Sequence, residues 1–142
     1  MSLFTVSLAH LTKEFKLEML YRSSDFEKIQ ITVEDVNRPA LQLAGFFEHF
    51  EPARMQVIGM VEDTYLAGLT PEQRVVTFDR LFSYRPPALI YARHIEPYDE
   101  CMVMARKYNI TILRTDETTS ELVSTMIATL KHYLAPRLTR HG

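Results

Sequence analysis

The run PALIYARHIEPYDECMVMARKYNITIL, Pro87 to Leu113, decides the fold. It opens on Leu89–Tyr91, an aliphatic stretch bounded by Pro86-Pro87, and closes on Ile110–Leu113, a second β-branched stretch. Between them the spacing predicts a helix from Pro97 to Lys107, with Tyr98, Met102, Ala105 and Tyr108 inward and Asn109 closing it. Strand, helix and strand in this order make a βαβ unit, whose strands pair parallel because a helix carries the chain back.

Reading outward in both directions extends the same alternation. Upstream lies Met55–Ile58, followed by a helical stretch at Glu62–Leu69 and a second one from Thr70. In that second helix Pro71 takes the first position and Gln73 completes a capping box with Thr70. It presents Val75, Phe78, Leu81 and Phe82 and ends before Pro86-Pro87. Downstream, Thr118-x-x-Glu121 reads as another capping box. The stripe Leu122, Val123, Met126, Ile127, Leu130, Tyr133 and Leu134 follows at helical spacing. Lys131 and His132 suit the negative end of the helix dipole, and Pro136 stops the helix. The first third is less regular, with a helix at Ser7–Phe15 and short runs at Leu17–Leu20 and Ile29–Thr32 that suit antiparallel or edge strands. The expected fold is an α/β layered sheet of parallel βαβ units covered by helices, one domain over 1–136, with 137–142 as a connector.

Composition narrows the function. The chain has 142 residues, 46% of them apolar and 24% charged, which suits one folded domain with a real core. A net charge of −2 argues against a nucleic-acid binder, which needs a basic face. One cysteine excludes a disulfide framework and a multi-cysteine zinc site and fits a reducing compartment. No apolar run approaches the roughly 20 residues that span a bilayer, so a cytoplasmic location without membrane attachment is expected. Only four glycines occur, and they form neither GxGxxG nor the GxxxxGK[ST] phosphate loop.

Candidate chemistry concentrates in two places. In Asp35–Gly45, Pro39 holds Arg38 extended and pre-sets a short helix, Asn37 or Asp35 can cap it, and Gly45 can end it at positive φ. This segment is either a capped turn with Leu41 and Leu43 in the core, or a place where Arg38 and free N–H groups hold an anion. The carboxyl ends of the parallel strands, where α/β proteins bind ligands, carry Gly59 and Glu62, then Arg93 and His94, then Arg114, Thr115 and Asp116. Arg38, Arg93, His94 and Arg114 are thus the candidate anion- or ligand-binding residues, against the alternative of ordinary polar loops. The five histidines show no metal-ligand spacing, so no metal is expected. Cys101, beside Met102-Val103-Met104, reads as a buried inert thiol, and Phe46-Phe47 with Phe50 as core or as a partner surface.

The runs DVNRPALQLAGFFEHF (Asp35–Phe50), ARMQVIG (Ala53–Gly59), PALIYARHIEP (Pro87–Pro97) and LAP…HG (Leu134–Gly142) resemble the N-terminal domain of the HPr(Ser) kinase/phosphorylase family. The order and spacing match from about Thr5 to the last residue. Ala40 departs from the family's usual Gly after the proline, and Met60-Val61 from its common Lys-Thr. The resemblance implies a parent enzyme that uses ATP or pyrophosphate, with Mg, to phosphorylate a serine of HPr and to reverse the step by phosphorolysis. That chemistry controls carbon catabolite repression. It implies a homo-oligomeric parent, a hexamer, whose P-loop lies in a second domain beyond His141-Gly142. The chain is then a regulatory or assembly fragment with no cofactor and no catalytic residue of its own. The family's N-terminal domain is similar to the uridine-nucleotide-binding first domain of Mur ligases. That similarity keeps open the alternative of a ligand-sensing module for a phosphorylated metabolite or nucleotide.

Overall fold

In the computed structural model, which describes residues 4–136, the chain runs β1 (Val6–Ser7), α1 (Leu8–Glu14), β2 (Glu18–Tyr21), a 3-10 turn (Phe26–Lys28), β3 (Gln30–Ile31) and β4 (Val36–Asn37). It continues through α2 (Ala40–Leu43), β5 (Met55–Ile58), α3 (Met60–Ala67), α4 (Pro71–Ser83), β6 (Leu89–Tyr91), α5 (Asp99–Tyr108), β7 (Ile112–Arg114) and α6 (Thr119–Leu134). The main sheet has five strands in the order β2-β7-β6-β5-β4. Strands β4 to β7 are parallel, and β2 lies antiparallel on β7 at the edge. The pair β1–β3 forms a separate antiparallel ribbon. A mixed α/β sheet therefore stands where the alternation of runs predicts parallel units, and the irregular first third supplies the antiparallel pieces.

Each parallel strand lies beside its predecessor, so every crossover steps the same way. Such crossovers are right-handed, which carries α2 to α5 to one face of the sheet. The central strands are buried on both sides, mostly by apolar residues, and split their side chains with period two. Leu89 and Tyr91 of β6, with Ile58 and Ile112, pack under Leu66, Phe78, Leu81, Phe82, Cys101 and Ala105 of α3 to α5. Ile90, Val57, Met55 and Leu113 turn the other way, onto Leu8 and Leu11 of α1 and Leu122, Met126, Leu130 and Leu134 of α6. After β7 the chain passes over the strand ends, and α6 lies across β4 and β5 on this second face.

Local signals explain the helix starts. The Thr70 hydroxyl accepts from the Gln73 N–H at 3.2 Å, and Gln73 Oε1 accepts from the Thr70 N–H at 2.9 Å. At α6 only the hydroxyl half of the predicted box forms, with Thr118 Oγ1 accepting from the Glu121 N–H at 3.2 Å. Helix α3 begins two residues earlier than the periodicity places it, with Gly59 as N-cap. In α5 the buried positions are Cys101, Met104 and Ala105, whereas Tyr98 caps the helix and Met102 and Tyr108 are only half-buried. Asn109 ends α5 in the left-handed region at φ 60°, as its side-chain chemistry allows.

The segment Asp35–Gly45 departs from its reading in three ways. Val36–Asn37 is a strand, in register with Met55–Gln56, and not merely a cap. Neither Asp35 nor Asn37 caps α2: Asp35 Oδ1 accepts from the Val36 N–H, and the Asn37 amide donates to Gln42 and Gln56. Leu43 is buried, but Leu41 is 61% exposed, because a single helical turn can point only one of them at the sheet. Gly45 does end the turn at φ 98°. The aromatic cluster also divides: Phe47 stacks on Tyr84 at 4.6 Å with Phe50 edge-on to both, while Phe46 stays outside.

Candidate functional site

The carboxyl ends of β4, β5, β6 and β7 bring the loops bearing the candidate residues to one rim. At its β4–β5 end, Arg38 follows directly on the strand, and its position is set by a chain of amides. Asn37 Nδ2 donates to Gln42 Oε1 at 3.0 Å and to Gln56 Oε1 at 2.7 Å, and Gln56 Nε2 donates to the Arg54 carbonyl at 2.8 Å. Gln42 and Gln56 are buried, so this network satisfies polar groups that have lost water and locks the turn before α2.

Arg38 does not stand open to solvent as a free cation. Its Nη2 donates to Glu62 Oε1 at 2.7 Å, and the same oxygen accepts from the Gly59 N–H at 2.8 Å. The Glu62 side chain is 2% exposed and that of Arg38 37%. Gly59 is extended at φ −119°, so its value is not backbone freedom but space. A Cβ there would lie 2.5 Å from Thr119 Oγ1 and 2.8 Å from Arg38 Nη2. Thr119, the first residue of α6, is 9% exposed. The four residues Arg38, Gly59, Glu62 and Thr119 thus close on one point where the N-termini of α3 and α6 meet.

Arg114 and His94 belong to a different place. Arg114 is buried and forks onto Glu18, with Nε to Oε1 at 3.0 Å and Nη2 to Oε2 at 3.1 Å, while Nη1 reaches Glu96 at 2.8 Å. That hydrogen bonding holds the Glu18 carboxyl below its usual range and the Arg114 guanidinium more firmly protonated than usual. His94 Nδ1 lies 2.7 Å from Asp116 Oδ1. Glu18, His94, Arg114 and Asp116, with Phe15 and Lys16, line a cavity of about 300 Å³ beside the edge strand.

Arg93 connects the two regions through its backbone. Arg93 and His94 both take positive φ, 57° and 55°, uncommon for residues with a side chain. Each is held there from the β7–α6 loop: the Arg93 N–H donates to the Glu117 carbonyl and the His94 N–H to the Thr115 carbonyl, both at 2.8 Å. The Arg93 side chain is exposed and makes no hydrogen bond or ion pair among the described residues. The four candidates therefore share a rim but not a pocket.

Sequence reasoning missed Thr119, Gln42 and Gln56. Thr119 sits beside a capping threonine that masks it, and no local pattern marks a glutamine as buried. Cys101 is fully buried, the Tyr91 hydroxyl donates to its sulfur at 3.1 Å, and burial pushes its thiol up to about 12. It is therefore unreactive as a nucleophile near neutral pH. Among the described residues, no group of three or more His, Cys, Asp or Glu is placed to hold a metal ion, and no helix is long and apolar enough to cross a membrane.

Comparison with known proteins places this geometry in context. A family model described as the HPr serine kinase N terminus matches residues 6–130. An HPr kinase/phosphorylase of Caldicellulosiruptor bescii is 41% identical over 140 residues, covering 99% of this chain and 45% of that protein. One from Lachnoclostridium phytofermentans is 38% identical over 140 residues, with the same shares of 99% and 45%. The chain thus spans less than half the length of these curated relatives. Among solved structures, the CBS and DRTGG domains of the regulatory region of Clostridium perfringens pyrophosphatase, solved with the activator diadenosine tetraphosphate, share the fold. The TM-score is 0.61 at 16% identity, covering 92% of this chain and 50% of that one.

Proposed function

The chain belongs to the family of HPr serine kinase N-terminal domains, and on that premise we propose that it is the regulatory or assembly domain of a bacterial HPr kinase/phosphorylase. The observation that carries the reading is identity of 41% maintained over 99% of the chain. The whole protein then phosphorylates a serine of HPr with ATP or pyrophosphate and Mg, reverses the step by phosphorolysis, and acts in the cytoplasm as a homo-oligomer, a hexamer. Phosphoryl transfer needs a phosphate cradle and a held Mg²⁺, and this sequence contains no Gly-rich loop with its lysine. The catalytic part is accordingly a second domain, for which 137–142, outside the described residues, serve as the connector. The finer likeness to the first domain of Mur ligases belongs to the same reading, supported by parallel strands with helices on both faces.

The test is to read the gene beyond Gly142 for a P-loop, and to compare the longer protein with a version lacking residues 1–136. The expected result is phosphoseryl-HPr from both, with the assembly mass or the response to effectors changed in the shortened one. HPr phosphorylation by the purified 142-residue chain alone, or identical assembly and regulation in both proteins, would overturn the proposal. A second reading, a ligand-sensing module for a phosphorylated metabolite or nucleotide, is favoured by one observation: the exposed Arg93 side chain at the rim makes no hydrogen bond or ion pair among the described residues.

A further inference from the structure

We propose that the outer face of α4, with the groove between it and the end of α2, is where two copies of this chain pair about a two-fold axis. The inference deepens the assembly reading given above, on which it rests, by naming the face that assembles.

The first observation is a ridge beside a groove. Helix α4 buries Phe78, Leu81 and Phe82 against the sheet, whereas Val76 lies on the opposite side and is 58% exposed. Glu72 and Arg80 stand one turn to either side of Val76, on the same face and also exposed. Along this ridge runs a groove of about 380 Å³, walled by Leu43–Gly45 at the end of α2 and by Tyr65 and Leu69. Leu41 and Phe46, joined by a hydrogen bond from the Phe46 N–H to the Leu41 carbonyl at 2.9 Å, project beside that wall. A ridge and a groove side by side form a self-complementary surface, because a two-fold axis lays each copy's ridge in the other's groove.

The second observation is charge, and it selects the occupant. Among the described residues that line the groove, Glu72 and Arg80 are the charged ones. Glu72 makes no hydrogen bond or ion pair among the described residues. Arg80 meets no carboxylate there: its Nη2 donates to the Gly45 carbonyl at 3.3 Å, and its guanidinium lies 5.2 Å from the centre of the Phe47 ring. The two residues are about 12 Å apart along the helix axis, with Val76 midway. A two-fold axis at Val76 runs the second α4 antiparallel to the first. Each Glu72 then faces the partner's Arg80, and the two Val76 side chains meet at the axis. A ligand or peptide of one charge sign would satisfy only one end of this ridge, whereas a second copy satisfies both.

The size is adequate. Leu41, Phe46, Tyr65 and Val76 together expose apolar area on the order of 400 Å², the scale that marks interaction sites on monomers. With Glu72, Gln73, Thr77 and Arg80 around them, the face approaches the roughly 800 Å² per partner of a standard interface.

The test is sedimentation velocity of the full 142-residue chain over a range of micromolar concentrations, with folding of every variant checked by urea unfolding. The chain is expected to show a reversible monomer–dimer equilibrium. Glu72→Arg and Arg80→Glu each set like charges opposite one another twice per dimer, so each should raise the dimer Kd about tenfold or more. The double variant Glu72→Arg with Arg80→Glu restores opposite charges and should dimerise within a few-fold of the wild type. Mixing the two single variants should produce a heterodimer tighter than either homodimer. A monomer at every concentration, a dimer indifferent to the single charge reversals, or single variants that fail to pair on mixing would each overturn the interface. In the longer protein, assembly lost on removing residues 1–136 but untouched by Glu72→Arg would sink this face and leave the assembly reading standing.

Discussion

Replacing Arg38 with alanine tests the organisation of the rim through stability alone. Were Arg38 only a turn residue on the surface, its loss would change stability by no more than about 0.5 kcal/mol. The structure predicts a larger effect, because its partner Glu62 is 2% exposed and would keep only the Gly59 N–H. Removing one member of a fully buried ion pair costs about 3–5 kcal/mol. The Arg38 side chain is 37% exposed, so water and salt already screen part of the attraction. We therefore expect a loss of about 2 kcal/mol, roughly 5–8 °C in melting temperature for a chain of this size. The double variant Arg38→Ala with Glu62→Gln should recover about half of it, since a glutamine oxygen still accepts from Gly59 and needs no counter-charge. Urea unfolding of the wild type, both single variants and the double variant closes the cycle. A drop within 2 °C for Arg38→Ala, or strictly additive losses in the double variant, would refute the reasoning.

Leu130 is fully buried between α6 and the sheet, so Leu130→Ala should cost ~2–5 kcal/mol, read from the urea midpoint at unchanged slope; a loss under 1 kcal/mol would show that α6 is not part of the core. Cys101, with its thiol pushed up to about 12, should resist iodoacetamide at pH 8 in the folded chain and react promptly in denaturant; equal rates would contradict its burial. Glu18 and Asp79 have carboxyls lowered from ordinary values of 4.5 and 3.8, Glu18 chiefly by the hydrogen bond from Arg114 and Asp79 by those from Tyr108 and Lys107. Carboxyls lowered in the folded state stabilise it above the unfolded pKa and lose that contribution as pH falls through the folded one. Melting temperature should therefore decline from about pH 4.5 downward, and more shallowly in a Glu18→Gln, Asp79→Asn variant.

The elements that sequence alone determines are those whose information is local. Helix α4 announces itself because Thr70, Pro71 and Gln73 satisfy the orphan N–H groups of its own first turn, whatever it packs against. Helix α6 does so through a stripe that must find some apolar surface. Strands β5, β6 and β7 are legible because burial on both faces makes their runs almost continuously aliphatic, with only Gln56 and the terminal Arg114 polar. The two-residue strands β1 and β4 carry no such period, and only pairing with Ile31 and Met55 turns Val6 and Val36 into sheet. Which of Leu41 and Leu43 faces inward is likewise a matter of the angle at which one turn of helix meets β5. The rim follows the same division. That Arg93, His94 and Arg114 lie at strand ends follows from the order of runs in the sequence, whereas Arg38 joins them only through β4, which pairing with β5 creates. Their partners do not, because Glu62 is 24 residues from Arg38, Glu18 is 96 from Arg114, and Thr119 reaches Gly59 only after α6 has crossed the strand ends. Side-chain chemistry sets what each residue can bind, but the charge and solvent around it come from chain segments far away in sequence, which meet only once the sheet is built.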